Sequence, residues 1–174
     1  MEVLHFAEVE TSFGVLRTVS SVRGVVYIEL PKASGRGLAG WISKYARSAK
    51  LVEGYAPNRT AATQLLEYFD GKREDFDMAL DIRATEFQLA CYAEVAKVGF
   101  GETTSYAEIA ARMDRPKAVR AVGAANGANP LPLVIPCHRI VASNGKLHGY
   151  AGGLEMKARL LALESSAPRE GWLL

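Results

Sequence analysis

Apolar and polar residues alternate through most of residues 3–30, and then the period changes. Val3–Val9, Gly14–Val19 and Gly24–Leu30 carry β-branched and apolar residues at alternate positions or in short runs. They are broken at Thr11-Ser12-Phe13-Gly14 and at Ser20-Ser21. This predicts three short strands joined by tight turns, an antiparallel meander. Beyond the Gly-, Ser- and Lys-rich loop from Pro31 to Gly37, Leu38, Trp41, Ile42, Tyr45 and Ala46 recur at helical spacing, which predicts an amphipathic helix over Leu38–Ser48. Leu51–Tyr55 reads as a further short strand. Asn58 is placed to cap a helix over Arg59–Phe69, with Ala62, Leu65, Leu66 and Phe69 as its apolar face and Gly71 as its stop. Phe76–Ile82 alternates again and is able to rejoin the sheet. No catalytic constellation stands out in this first part.

After Arg83 the pattern turns helical. Thr85 caps a predicted helix over Glu86–Val98, with Phe87, Leu89, Ala90, Ala93, Val95 and Ala96 available for burial, and Gly99-Phe100-Gly101 stops it. Ser105, followed three residues later by Glu108, is a capping-box pattern that starts a short helix to about Met113. Asp114-Arg115 turns the chain, and Pro116 stands where an N1 proline opens a second helix to about Asn126. Two short helices across a tight turn form a helix-turn-helix candidate. The second is almost free of bulk: Ala118, Ala121, Gly123, Ala124, Ala125 and Gly127, with Arg120 as its one long outward side chain. A helix that reads the major groove carries Asn, Gln, Arg or Ser on that face. Small residues suit close backbone approach to a narrower groove, or packing against another helix; both readings are open.

The run Leu133–Val141 reads as a buried strand that Pro136 ends, delivering Cys137, His138 and Arg139 in succession. Those three side chains can make and hold a thiolate; a buried structural cysteine beside two charges is the alternative. Ala142–Lys146 is a turn with a strong Asn-Gly signal. A glycine-rich loop, His148–Leu154, leads to a last amphipathic helix over Glu155–Glu164, with Leu154, Leu160, Leu161 and Leu163 facing inward and a loosely held tail beyond.

Composition adds little beyond limits. At 174 residues, with 49% hydrophobic and 23% charged content, the chain suits one or two globular domains with a real core. No apolar run approaches the length of a membrane span, and Met1–Phe6 does not look like a secretory signal. Two cysteines without an export signal suggest free thiols in a reducing cytoplasm. Cys91, Cys137, His5, His138 and His148 show no zinc spacing, so no metal is expected. The net charge of +2 implies no partner. Arg112, Arg115, Lys117 and Arg120 cluster around Pro116, as a phosphate-contacting patch or as a solvated helix end.

Six stretches carry a resemblance: Thr85-Glu86-Phe87-Gln88, Phe100–Tyr106, Arg120-Ala121-Val122-Gly123, Asn129-Pro130, Ile135-Pro136-Cys137-His138-Arg139 and Gly149-Tyr150-Ala151-Gly152-Gly153-Leu154. With Glu67–Arg73 they cover residues 65–164 in order and spacing. The chain resembles the O6-alkylguanine-DNA alkyltransferases, single-use DNA repair proteins. The resemblance implies a mixed α/β (α+β) fold: residues 1–82 as a small RNase H-like domain with an antiparallel sheet and helices, and residues 83–174 as a mostly helical domain with a winged-helix-like helix-turn-helix. It implies a monomer acting on double-stranded DNA that contains O6-alkylguanine, with no cofactor and no membrane partner.

Residue roles follow from the same resemblance. Cys137 would take the alkyl group, activated through a water by His138, which Glu164 orients. Tyr106 would donate to the guanine N3 and crowd the target phosphate. Arg120 would fill the stack vacated by a flipped base. Arg115, Lys117, Val119, Ala121, Gly123 and Ser143 would contact DNA. Asn129, Pro132, Ile140, Tyr150, Ala151 and Gly152 would line the substrate pocket, with backbone carbonyls near Cys137 and Ile140 accepting from the guanine amino group. A thioether cannot be hydrolysed by such a relay, so the protein acts once.

Three departures stand out. His148 replaces a smaller residue, Cys91-Tyr92 replaces an apolar-Trp pair, and Arg139 reads as an ion-pair partner rather than a catalyst. The rivals are a non-repairing lesion-binding protein of the same fold, a cysteine hydrolase and a transcription regulator. Cys137 argues against the first. Adjacent Cys and His argue against the second, and a recognition helix without base-reading side chains against the third.

Overall fold

A computed structural model describes residues 1–147 and 149–165. The chain forms two compact units, Met1–Arg83 and Ala84 onward. Among the described residues, no helix is long and apolar enough to cross a membrane.

In the first unit, strands β1 (Val3–Thr11), β2 (Gly14–Ser20) and β3 (Val25–Glu29) form the antiparallel meander expected from their alternation. A fourth strand, β4 (Lys50–Glu53), joins β1 in parallel, so the sheet order is β3-β2-β1-β4 and the sheet is mixed rather than wholly antiparallel. Helix α1 (Gly37–Tyr45) lays Leu38 and Trp41 on Leu4, Val19 and Val26. Phe76–Ile82 does not rejoin the sheet as a strand; a single bridge, Val25 to Leu80, is all that forms.

Helix α2 (Arg59–Phe69) has the expected bounds, but Asn58 does not cap it with its side chain and one residue of the expected face is exposed. Asn58 makes no side-chain cap. It is fully buried, accepts from Ser20 Oγ at 2.9 Å, and donates to the carbonyls of His5 at 3.0 Å and Gly54 at 2.8 Å. It therefore ties together chain segments that a local cap cannot reach. Leu66 is exposed, while Ala61, Gln64 and Tyr68 are buried with Ala62, Leu65 and Phe69.

The second unit begins with helix α3 (Glu86–Val95), held by the capping box of Thr85 and Gln88. Its apolar residues lie all round, so periodicity misjudges the buried face. Cys91, Tyr92 and Val95 go inside, whereas Leu89, Ala90, Ala93 and Ala96 are exposed. Helix α4 (Tyr106–Arg112) starts at Ser105, whose hydroxyl accepts the Glu108 amide at 3.0 Å. Helix α5 (Val119–Gly127) completes the helix-turn-helix. Pro116 is not its N1 residue: Ala118 occupies the N-cap, and Pro116 lies in the turn that follows Asp114, whose φ is +57°. The Tyr92 hydroxyl donates to Ala125 O at 2.8 Å and fastens α3 to α5.

The stretch around the cysteine departs most from expectation. Leu133–Pro136 is a buried loop with Leu133 at φ +77°, not a strand, and Cys137–Arg139 is one turn of 3-10 helix. Strand pairing begins only afterwards, where β6 (Ile140–Val141) lies parallel to β5 (Thr104–Ser105). Helix α6 (Leu154–Glu164) closes the unit. It buries Met156, Lys157, Ala158, Leu160, Leu161 and Glu164, while Leu154 and Leu163 stay partly exposed. The expected loose tail lies outside the described residues, apart from Ser165.

Candidate active site

The β5–β6 pairing sets the geometry of the site. Thr104 and Ser105 lie opposite Ile140 and Val141, so Tyr106, the next residue, starts α4 beside the turn that carries the cysteine. Two asparagines join that turn to the other helix of the pair. Asn126 Nδ2, in the last turn of α5, donates to Cys137 O at 3.2 Å, and Asn129 Nδ2 donates to Ile135 O at 2.8 Å. Asn129 Oδ1 also accepts from Leu131 N at 2.9 Å.

Cys137, His138, Arg139 and Glu164 are all buried. His138 Nε2 lies 2.8 Å from Glu164 Oε1, although 26 residues separate the two. Arg139 grips the same carboxylate with Nε to Oε2 at 2.9 Å and Nη2 to Oε1 at 2.8 Å, and donates its Nη1 to Val98 O at 2.6 Å. Burial alone would raise the Glu164 pKa. Hydrogen bonds and charge from His138 and Arg139 outweigh it and hold the acid down at about 2. His138 is pushed down by burial, against the pull of Glu164. Its Nδ1 is buried and makes no hydrogen bond among the described residues. Gly101, at φ +77°, permits the close approach of α6: a Cβ there would sit 3.0 Å from Glu164 O.

Burial also pushes the Cys137 thiol up, against side-chain hydrogen bonds to Asn129 and Tyr150 and the charge of Lys157. The resting pair is therefore a thiol beside a neutral imidazole rather than a preformed thiolate. A proton must leave sulfur during any reaction. On a 3-10 turn, neighbouring side chains point about 120° apart. The opposite-face geometry expected of an extended strand does not apply to Cys137 and His138.

Lys157 is a residue that periodicity missed. It is fully buried on α6, donates to Ile140 O at 2.6 Å, and places its ammonium 3.5 Å from the Tyr106 hydroxyl and 5.8 Å from that ring's centre. Burial pulls its pKa down to about 8. A signal was present in the sequence: Lys157 and Glu164 share the helical face of Leu160 and Leu161. The Tyr106 phenol is raised by burial, eased by a hydrogen bond with Asn126, and so stays a donor at neutral pH. Asn126 was also missed, being the one polar group on the inner side of a small-residue helix. The Cys137 carbonyl already accepts from Asn126 and from the Ile140 amide, and the Ile140 carbonyl accepts from Lys157.

A cleft of about 400 Å³ gathers Tyr106, Val119, Arg120, Gly123 and Ser143 from the expected DNA-contacting set, and adds Ala107, Ala142 and Gly149. The expected pocket residues fall elsewhere. Pro132 and Ile140 are buried, and Asn129 and Tyr150 reach the thiol. Ala151 and Gly152 are partly exposed outside the cleft lining. Arg115 and Lys117 are exposed in the turn before α5, with the Arg115 guanidinium 5.5 Å from the Phe87 ring centre. Ala121 and Ala124 face solvent, so this side of α5 is not packed on another helix among the described residues. A Cβ at Gly123 would meet nothing within 4 Å, so the fold itself does not require glycine there. His148 lies outside the described residues.

A buried thiol, a histidine–carboxylate pair and an adjoining helix-turn-helix define a protein that brings a single cysteine nucleophile to a nucleic-acid-binding architecture. The model of the 6-O-methylguanine DNA methyltransferase DNA-binding domain matches residues 86–166. The inducible methylated-DNA–protein-cysteine methyltransferase of Bacillus subtilis is 39% identical over 151 residues, covering 87% of this chain and 84% of its own. That of Methanosarcina mazei is 41% identical, covering 83% and 95%. The crystal structure of Mycobacterium tuberculosis OGT in complex with DNA matches with a TM-score of 0.82 and 34% identity, over 94% of this chain and 95% of that one. This chain belongs to the methylated-DNA–protein-cysteine methyltransferase family.

Proposed function

We propose that this protein repairs O6-alkylguanine in double-stranded DNA by moving the alkyl group irreversibly to Cys137. The observation that carries this reading is the join between helix-turn-helix and nucleophile: Asn126 and Asn129 bind the cysteine loop directly to the end of α5. A base buried in a duplex cannot reach a buried thiol, so the lesion is flipped out. The small, solvent-facing residues of α5 let its backbone approach the groove, and Arg120 takes the vacated place in the stack, where a flat guanidinium stacks without losing its charge.

The chemistry then needs one proton transfer from sulfur and one hydrogen bond to the leaving base. The Cys137 proton passes to the open Nδ1 of His138, through one water. Sulfur attacks the alkyl carbon, the S–C bond forms, and the O6–C bond breaks with its electron pair going to the base. Tyr106 donates a hydrogen bond to a ring nitrogen as that negative charge develops. Lys157 sits close to both the phenol and the thiol, and its positive charge favours both developing anions. The thioether product has no leaving group that the relay can activate, so each molecule acts once. We read the protein as a cytoplasmic monomer.

Intact mass after mixing with excess duplex containing O6-methylguanine tests this. The expected result is a gain of one methyl per chain, absent in Cys137→Ser. Repeated turnover, or tight binding without a mass change, would overturn the reading; the second outcome is that of a non-repairing lesion-binding protein. Arg120→Ala is expected to slow transfer from duplex more than transfer from the free methylated base.

A further inference from the structure

Glu164 stands where a lone carboxylate is least stable. It is the last residue of α6, at the negative end of the helix dipole, and it is buried. The hydrogen bond with His138 offsets part of that burden, and Arg139 adds a permanent charge with a two-pronged grip on Oε1 and Oε2 that suits the planar guanidinium. Its third contact, to Val98 O, stops the fork from swinging away. Oε1 is thus shared between Arg139 and His138.

We propose that Arg139 is a positioning residue for the transfer: it keeps Glu164 an acceptor-only carboxylate, which forces the His138 proton onto Nε2 and leaves Nδ1 to take the proton of Cys137. The proposal rests on the alkyl-transfer reading above. An ionised carboxylate has no proton to give, so the short contact to His138 Nε2 requires the hydrogen to be on the ring. In a neutral ring the other nitrogen is then a bare lone pair, and Nδ1 is the nitrogen with no partner among the described residues. When sulfur loses its proton to Nδ1, the imidazolium is stabilised by Glu164. The proton goes no further, because a carboxylate already bound to a permanent cation is the weaker base.

Among the described residues, three elements place groups around the relay. His138 and Arg139 come from the 3-10 turn and Lys157 and Glu164 from α6. The loop after α3 offers the Val98 carbonyl, the Gly101 amide at 3.5 Å from Oε2 and the Phe100 ring under the Arg139 guanidinium. Without Arg139, burial and the helix terminus both favour a protonated Glu164. A protonated Glu164 can donate to Nε2, which moves the ring hydrogen to Nδ1 and blocks the acceptor that Cys137 needs. A purely structural arginine would change stability without changing the tautomer.

Two measurements test this. Nitrogen-15 NMR of the His138 ring in the unmodified protein is expected to show Nε2–H with a pyridine-type Nδ1; a hydrogen on Nδ1 overturns the proposal. Single-turnover methyl uptake is then followed by intact mass from about pH 5.5 to about pH 9 for wild type, Arg139→Met and Arg139→Lys, with circular dichroism melts alongside. In Arg139→Met the acid limb is expected to move up by about one pH unit, roughly a tenfold loss near pH 6 that shrinks as pH rises. Arg139→Lys, which keeps charge but not the fork, falls between. An equal loss at every pH, or an unmoved limb, overturns the positioning role while alkyl transfer stands. No uptake by wild type would instead remove the transfer reading. If Arg139→Met does not fold, Arg139→Lys and the His138 spectrum decide.

Discussion

Each unit buries a carboxylate against arginine, and the two networks end differently. In the first unit Asp81 accepts from Ser21 Oγ at 2.7 Å, Arg23 at 2.9 Å and Arg83 at 2.8 Å, while Arg83 also pairs with Glu2. Burial pushes the Asp81 carboxyl up, and hydrogen bonds from Arg83 and Ser21 outweigh it, so it lies below its usual range. This network runs out into solvent through Arg23, whose side chain is 70% exposed. In the second unit Glu164 is held just as firmly, by Arg139, but it also pairs with a histidine whose other nitrogen makes no hydrogen bond among the described residues. The same acid–arginine chemistry therefore has two uses. One ties distant parts of the chain together and stops at permanent charges. The other holds a group that can accept a proton next to a thiol. A buried ion pair alone is weak evidence of function; the titratable, open end is what distinguishes the second.

The comparison can be broken by exchanging charge for amide in each network. Glu164→Gln is expected to cost roughly 10²- to 10³-fold in the single-turnover rate, the usual scale of lost acid–base assistance; a loss below about fivefold would place Glu164 with Asp81 as a structural acid. Asp81→Asn is expected to lower unfolding stability by about 2 kcal/mol, because it weakens charge-assisted hydrogen bonds while Arg83 keeps Glu2 and Arg23 stays solvated. The transfer rate should stay within about twofold, and urea melts with the same mass assay check both.

Acid sharpens the contrast more gently. Glu164 sits at about 2 in the folded state, below its unfolded value, so its contribution to stability is fully present above that unfolded value and is lost as pH falls through about 2. Asp81 acts in the same direction. Urea midpoints should therefore fall below about pH 4.5, and less steeply in Glu164→Gln. The smallest effect is expected at Cys91, which is fully buried on α3 with its thiol raised to about 11 by burial. Cys91→Ala should leave methyl uptake unchanged and cost about 1 kcal/mol of stability in the same melts.

Much of this molecule could be read from order along the chain. Alternation located β1 to β3, helical spacing located α2, and Thr85 marked the start of α3, because each signal is local. The Pro-Cys-His-Arg block and the small residues of α5 pointed to the chemistry for the same reason. Features that needed a partner were not legible. Asn58 has the composition of a cap and serves instead as a buried bracket among three segments. Helix α3 is apolar all round, so only its neighbours select Cys91 and Tyr92 over Leu89. Lys157 went unread, because a lysine on an amphipathic helix is ordinarily solvated; only the packing of α6 places it against Tyr106 and Ile140 O.

The sequence by itself determined which residue types were on hand: a cysteine next to a histidine and an arginine, a helix pair with one smooth face, and an acid near the end of the last helix. Tertiary structure decided their states. It brought Glu164 to His138 across 26 residues, set Arg139 on both carboxylate oxygens, and raised the thiol by burying it. The physical reason is that the charge a group carries depends on its solvation and its neighbours, and a linear chain specifies neither until it has packed.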